Sequence, residues 1–253
     1  MKNKTIENKK KISFPHMGTI SYAWSAALRI IGCEPYVEPY TSKKSLSLGT
    51  KHAPEAICLP YKLILGNFIE AIEGGTDYVA MITSPGCCRL GEYGKCIENA
   101  LHDLGYETKY LELQLYDGIK GMYNFLKEAS GKNNPILFGK AILIAMLKVF
   151  MLDNLETKLS YCRAREIKQG DAEKHYQKAL KYIDEQDTLL GLKKAKQQVE
   201  EEMNKVEINP NKEVLYVDIT GEIYVVNDEF SNQNIEKELG RMGVQVRRSL
   251  TVS

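Results

Sequence analysis

A chain of 253 residues, 43% hydrophobic and 26% charged, fits a globular fold of one large or two small domains; it excludes a mainly disordered chain, a collagen-like repeat and a membrane bundle. Its 34 basic and 33 acidic residues leave a formal charge of +1, too little for a long-range field that would favour nucleic acid or an anionic membrane. The most apolar stretch, 135–152, is interrupted by Lys140 and Lys148 and falls short of the roughly 18–20 uninterrupted residues that span a bilayer.

The first eleven residues hold five lysines, but no apolar segment and no cleavage site follow, so they read as a basic lead-in rather than a secretory signal. Ile12–Phe14 reads as a short strand stopped at Pro15. A helix is expected over Gly18–Ile31, with apolar positions at Ile20, Ala23, Trp24, Ala27, Leu28 and Ile31. Gly32 ends it, and Pro35–Pro39 restarts an extended segment. Leu59–Ile72 gives a second helix closed by Gly74-Gly75. Tyr78–Ile82 is a continuous apolar run of the kind found in strands buried on both faces of a parallel sheet. Ser84-Pro85-Gly86 is a turn, Cys88–Leu104 a helix, and Thr108–Leu113 a further strand.

From Leu115 to Val206 long helices replace this alternation, and Lys, Glu and Gln dominate after Arg163. Tyr176, Leu180, Ile183 and Leu190 keep an apolar stripe there, and the charge run reads as a solvated face. Beyond Asn209-Pro210-Asn211 come a buried strand (Val214–Ile219), a helix (Asn232–Met242) and a last strand (Val244–Leu250). The expected fold is α/β: a Rossmann- or flavodoxin-like parallel-sheet domain over 1–114, a helical insertion over 115–208, and the start of a second α/β domain over 209–253. Two parallel strands are too few to stand alone. They are therefore expected either to join the first sheet or to belong to a domain that is incomplete in this chain.

Six cysteines stand at 33, 58, 87, 88, 96 and 162. Without a secretory signal the chain is expected to be cytoplasmic and its thiols reduced, which leaves metal or cluster ligation as the competing account of them. No CxxC, HExxH, GxxxxGK[ST], strand-borne GxGxxG or GxSxG occurs, so zinc-ribbon, zincin, P-loop, dinucleotide and serine-hydrolase chemistries have no motif to rest on.

Two segments concentrate the remaining chemistry. Ser84–Gly94 (SPGCCRLGEYG) follows a parallel strand, where open α/β sheets bind ligands. There Cys87 or Cys88 would feel a helix start, and Arg89 would add a full positive charge, both favouring a thiolate. The same residues also suit a tight turn with two packed cysteines, and composition does not choose between the two. Lys51–Lys62 (KHAPEAICLPYK) places Cys58 at a second helix start, two residues before Pro60. Two such thiols converging above one sheet could share an iron–sulfur cluster, whose usual ligands are thiolates. His16 either lines the same cleft or is a loop histidine satisfied by backbone. Cys33, Cys96 and Cys162 read as packing residues, and His102 and His175 as exposed.

KHAPEAICLPYKLILGNFIEAIEGGTDYVAM (51–81), SPGCCRLGEYG (84–94) and VDITGEIYVVNDEF (217–230) resemble the 2-hydroxyacyl-CoA dehydratase superfamily, in its acyl-CoA dehydratase activase-related branch. FPHMG (14–18) and LGRMGVQVRRSL (239–250) fit that branch too. The resemblance implies two Rossmann- or flavodoxin-like domains with a [4Fe-4S] or double-cubane cluster, as in an anaerobic dehydratase-type lyase or an ATP-coupled iron–sulfur reductase component. It further implies an ATP-dependent activator protein as electron donor, an acyl-CoA substrate, and a homo- or heterodimer. In the dehydratases the injected electron makes a ketyl radical of the acyl-CoA and so allows the hydroxyl to leave. By position, Cys58 and Cys88 would be cluster ligands, with Arg89 offsetting charge and Tyr61, Lys62 and His16 lining the cleft. Cys87 stands where the family pattern G-P-C-R has proline, so either thiol of the pair would serve. The family's third cysteine is expected beyond this chain, which leaves a cluster-free partner or scaffold subunit as the rival reading.

Overall fold

The computed structural model describes residues 9–37, 40–83 and 89–248. They fall into two compact units, one from Met1–Pro15, Ala27–Pro39 and Lys43–Ala141, the other from His16–Ala26, Tyr40–Ser42 and Ile142–Ser253.

The first unit is built on a four-stranded sheet of β1 (Lys11–Ser13), β2 (Glu34–Tyr36), β3 (Tyr78–Thr83) and β4 (Lys109–Gln114), in the order β2-β1-β3-β4 with every pairing parallel. This is the flavodoxin-like order, and it reverses direction between β1 and β3. Val79, Ala80 and Met81 are buried in succession, so the central strand β3 carries the unbroken apolar character expected of a parallel strand covered on both faces, while β1 buries Ile12 and the edge strand β4 buries alternate residues, Leu111 and Leu113. The α/β class and the parallel sheet agree with the reading from sequence.

Helix α1 (Ile20–Ile31) connects β1 to β2, helices α2 (Lys43–His52) and α3 (Leu59–Glu73) lead into β3, and α4 (Tyr93–Asp103) leads out of it. The sequence reading missed α2, since KKSLSLGTKH has almost no apolar stripe. Close packing accounts for it instead. A Cβ on Gly66 of α3 would overlap the carbonyl oxygen of Ser45, and one on Gly49 of α2 would overlap that of Lys62. The two helices meet backbone to backbone, which only glycine permits. Helix α5 (Ile119–Ser130) follows β4 and buries Phe125, Leu126 and Ala129.

In the second unit the core is formed by Leu152, Leu155, Leu159 and Cys162 of the long helix α6 (Pro135–Arg165) with Ala172, Tyr176, Ala179, Leu180 and Ile183 of α7 (Asp171–Asp184). Val199 and Met203 of α8 (Leu189–Met203) and Val206 complete it. Among the described residues α6 alone is long and apolar enough to cross a membrane, by length and composition. Yet Lys148, one of the two lysines within 135–152, is 0% exposed and donates to the Asp184 carbonyl (2.9 Å) and to Asp187 Oδ1 (3.1 Å).

Strands β5 (Leu215–Ile219) and β6 (Val244–Arg248), joined through α9 (Ile223–Asn227) and α10 (Ile235–Arg241), form a separate two-stranded parallel sheet in the register Leu215↔Val244 to Ile219↔Arg248. The strands do not join the first sheet. Nor is β5 buried on both faces, since Leu215 and Tyr216 are 73% and 72% exposed.

Candidate functional site

A helix that connects parallel strands runs back against them, so α3 and α4 both begin at the edge of the sheet where the strands end. Cys58 occupies the N-cap of α3 with an extended backbone (φ −60°, ψ 149°), and Pro60 sits in the first turn as expected. The Cys58 thiol is free and half-buried. It makes no capping hydrogen bond, and no acidic residue lies in the first turn. Among the described residues no side chain caps the first N–H groups of α3, and a helix start in this condition favours an anion.

Strand β3 ends at Thr83, and Arg89–Glu92 forms a 3-10 turn that leads directly into α4. Cys87 and Cys88, the other expected ligands, lie outside the described residues, as does the rest of 84–88. Arg89 is exposed. The two motif segments do meet: Tyr61, one turn into α3, packs edge-to-face on Tyr93 at the start of α4, with ring centroids 5.3 Å apart at 86°. Both rings are buried, at 2% and 5% exposure, so Tyr61 joins the helices rather than lining an open cleft. Burial pushes its phenol up, with a smaller contribution from Cys96.

Other motif residues have equally local reasons. A Cβ on Gly94 would overlap the Tyr110 phenol, which burial pushes up to about 12. Beside it Thr83 Oγ1 and Gln114 Nε2 donate to the two oxygens of Glu112, at 2.7 and 2.8 Å. Lys62 Nζ donates to the Glu55 carbonyl at 2.9 Å. Cys33 and Cys162 are buried packing residues as expected, and burial raises both thiols.

Two expectations are corrected. Cys96 is exposed, not packed, because it lies on the outer side of the amphipathic helix α4. His175 is buried, not exposed, because its Nδ1 lies 2.8 Å from Glu202 Oε1. Glu202 itself is 2% exposed and also pairs with Lys178 and Lys205. The Lys205 hydrogen bond leads in lowering its carboxyl to about 2, with His175 and Lys178 adding to it against the opposing cost of burial.

His16 belongs to the second unit, where it is buried and stacked on Tyr40 at 5.1 Å. The same unit gathers the other motif segments around a cluster that sequence reading missed. Glu156 of α6 accepts from Thr19 Oγ1 (2.7 Å) and Arg248 Nη1 (2.8 Å). Arg248 also reaches Asn227 Oδ1 (3.2 Å) and Glu236. Gly18, at φ +63°, approaches Asn227 so closely that a Cβ would stand 3.0 Å from its carbonyl oxygen. Burial raises the Glu156 carboxyl even though Arg248 and Thr19 oppose the shift. Burial likewise disfavours charge on Arg248, but Glu156 and Glu236 outweigh it and hold the guanidinium above its ordinary value. Met17, Thr19, Asp153, Glu156, Asn227 and Arg248 line a cavity of about 20 Å³ here, room for one water.

Among the described residues no three His, Cys, Asp or Glu side chains gather so as to hold a metal ion. The first unit offers one free thiol at a helix start, Cys58, while Cys87 and Cys88 precede α4 in the sequence. Comparison with family models matches residues 16–249 to the family described as CoA enzyme activase uncharacterised domain (DUF2229). Comparisons with curated proteins and with solved structures give no match.

Proposed function

The chain belongs to the CoA enzyme activase domain family, and from that premise we propose that its first unit carries an iron–sulfur cluster on Cys58 and one thiol of Cys87-Cys88. The observation that carries this reading is the Tyr61–Tyr93 contact, which brings the starts of α3 and α4 together at the ligand-binding edge of the sheet. When bound, a cluster of this kind supplies low-potential one-electron chemistry and, at an iron with an open position, a Lewis acid. The chain's own residues do the rest. Cys58 presents its sulfur where the N–H groups of α3 favour negative charge. The interlocked Tyr61 and Tyr93 rings fix the spacing of the two helix starts and keep water from between them. Arg89 brings a compensating positive charge next to the cysteine pair.

In this reading the protein works in the cytoplasm as a low-potential electron-transfer or acyl-CoA dehydration component, served by an ATP-dependent activator protein. Cysteine variants test the ligand assignment. With anaerobically purified protein, Cys58→Ala is expected to abolish the visible absorption, and one of Cys87→Ala and Cys88→Ala to do the same. Unchanged iron content in all three variants would refute the assignment. Wild-type protein that stays colourless and also resists reconstitution would instead assign the chain to the cluster-free partner class.

A further inference from the structure

The end of α6 holds a buried cation without a counter-ion. Arg165, the last residue of that helix, is 5% exposed, and arginine is almost never this buried unless it is paired. The other withdrawn cations of the second unit follow that rule: Lys148 pairs with Asp187, Arg163 with Glu173 and Arg248 with Glu156. Among the described residues no carboxylate pairs with Arg165, whose guanidinium meets neutral groups instead. Nη1 donates to the Tyr161 carbonyl (3.2 Å) and to Gln245 Oε1 (2.7 Å), and Nη2 donates to the Tyr216 hydroxyl (3.1 Å). The Tyr161 ring lies 4.1 Å from the guanidinium carbon. A guanidinium has five N–H groups, so Nε–H and one Nη2–H meet no acceptor among the described residues.

Arg165 and Tyr216 border an open groove of about 700 Å³, a size typical of ligand sites. The segment after α8 builds its wall. Asn209 N–H donates to the Arg165 carbonyl (2.9 Å), and Asn209 in turn accepts from the N–H groups of Asn211 (3.1 Å) and Lys212 (3.2 Å). The turn so formed sits on the end of α6 and leads Lys212 and β5 along the groove. Lys212 is exposed and makes no ion pair among the described residues. The Tyr216 hydroxyl, having accepted from Arg165, still has its own proton to donate. Two cations thus face one carboxylate in the lining, that of Glu213, and Pro210 and Leu215 add an apolar stretch.

We propose that this groove binds a small organic phosphate, its oxygens on Arg165, Tyr216 and Lys212 and its organic part against Pro210 and Leu215. An oxyanion supplies the counter-charge that the buried guanidinium lacks and takes up its unused N–H groups. A phosphomonoester suits the site better than a carboxylate, because its nearly two negative charges and three acceptor oxygens match two cations and a phenol. This inference is independent of the cluster: the groove belongs to the second unit and the cysteine motifs to the first.

Isothermal titration calorimetry of the full chain with phenyl phosphate tests it. A Kd of about 1 mM or tighter is expected, with inorganic phosphate at least about threefold weaker because it leaves the apolar stretch uncovered. Arg165→Gln is expected to weaken phenyl phosphate at least about tenfold. Lys212→Ala and Tyr216→Phe, both at exposed sites, are expected to weaken it about three- to fivefold each. If Arg165→Gln loses its far-UV circular dichroism spectrum, the two exposed-site variants decide the matter. Adenosine monophosphate binding more tightly than phenyl phosphate supports the site as one for a nucleotide, and the reverse order supports it as one for a smaller phosphate ester. A wild-type Kd weaker than about 1 mM for both esters overturns the proposal. So does binding that Lys212→Ala and Tyr216→Phe both leave unchanged, since the anion would then sit elsewhere, as at the start of α3.

Discussion

Gly66→Ala separates packing from propensity in the part of the fold that places Cys58. In an isolated helix the change would stabilise by about 1 kcal/mol, since alanine loses less backbone entropy than glycine. In α3 the new Cβ would overlap the Ser45 carbonyl oxygen and stand 2.7 Å from the Ser45 carbonyl carbon, against roughly 3.5–4.0 Å for an unstrained carbon pair. Helices α2 and α3 would have to part by about 1 Å, and because backbone rather than a flexible side chain is in the way, the strain belongs near the ~3 kcal/mol end of overpacking costs. The net expectation is a loss of about 2 kcal/mol, read as a lower urea midpoint at constant slope. Gly139→Ala in α6 is the control, since nothing lies within 4 Å of its Cβ position, and it should stabilise by about 0.5–1 kcal/mol. If Gly66→Ala matched or exceeded the wild type, the backbone contact between α2 and α3 would be refuted.

Two other predictions concern the second unit. Glu202, held at about 2 in the fold against an ordinary 4.5, binds protons more weakly folded than unfolded. Its contribution is therefore fully present above about pH 4.5 and lost as pH falls toward 2. The urea midpoint should drop across that window, and Glu202→Gln, costing about 2 kcal/mol at neutral pH, should flatten the drop; an unchanged pH profile in the variant would contradict the role given to this carboxyl. Lys148→Ala should cost about 3–5 kcal/mol by opening a void and leaving Asp187 without its buried partner. Lys148→Met should recover most of that, because it refills the volume without a charge. Equal losses in the two would show that the ion pair, not the packing, is what the fold needs.

What was legible in the sequence followed local rules. Pro60 behind Cys58 marked the start of α3, Gly74 its end, and YVAMI the central strand, because each is set by backbone sterics or by a run of burial in consecutive residues. Helix α2 was not legible, since its reason is the absence of side chains at Gly49 and Gly66 rather than an apolar stripe. The Glu156–Arg248 cluster was invisible for another reason: its members are 92 positions apart, and a lone Glu in a charged helix resembles its solvated neighbours. His175 carried a faint signal, lying four positions after Asp171 and next to Tyr176 of the buried stripe, and it was outweighed by the charged residues around it. The motif glycines and tyrosines of the first unit proved to be packing devices as well as signatures, with Gly94 admitting Tyr110 and Tyr61 locking onto Tyr93.

The central claim is that the α3 start, with Cys58, belongs to a cluster site. Iron and acid-labile sulfide per chain, measured on protein purified without oxygen, test it most directly. The account predicts about four of each, with broad absorption near ~400 nm that bleaches on reduction. Neither iron nor sulfide, in protein that reconstitution also leaves colourless, would contradict it.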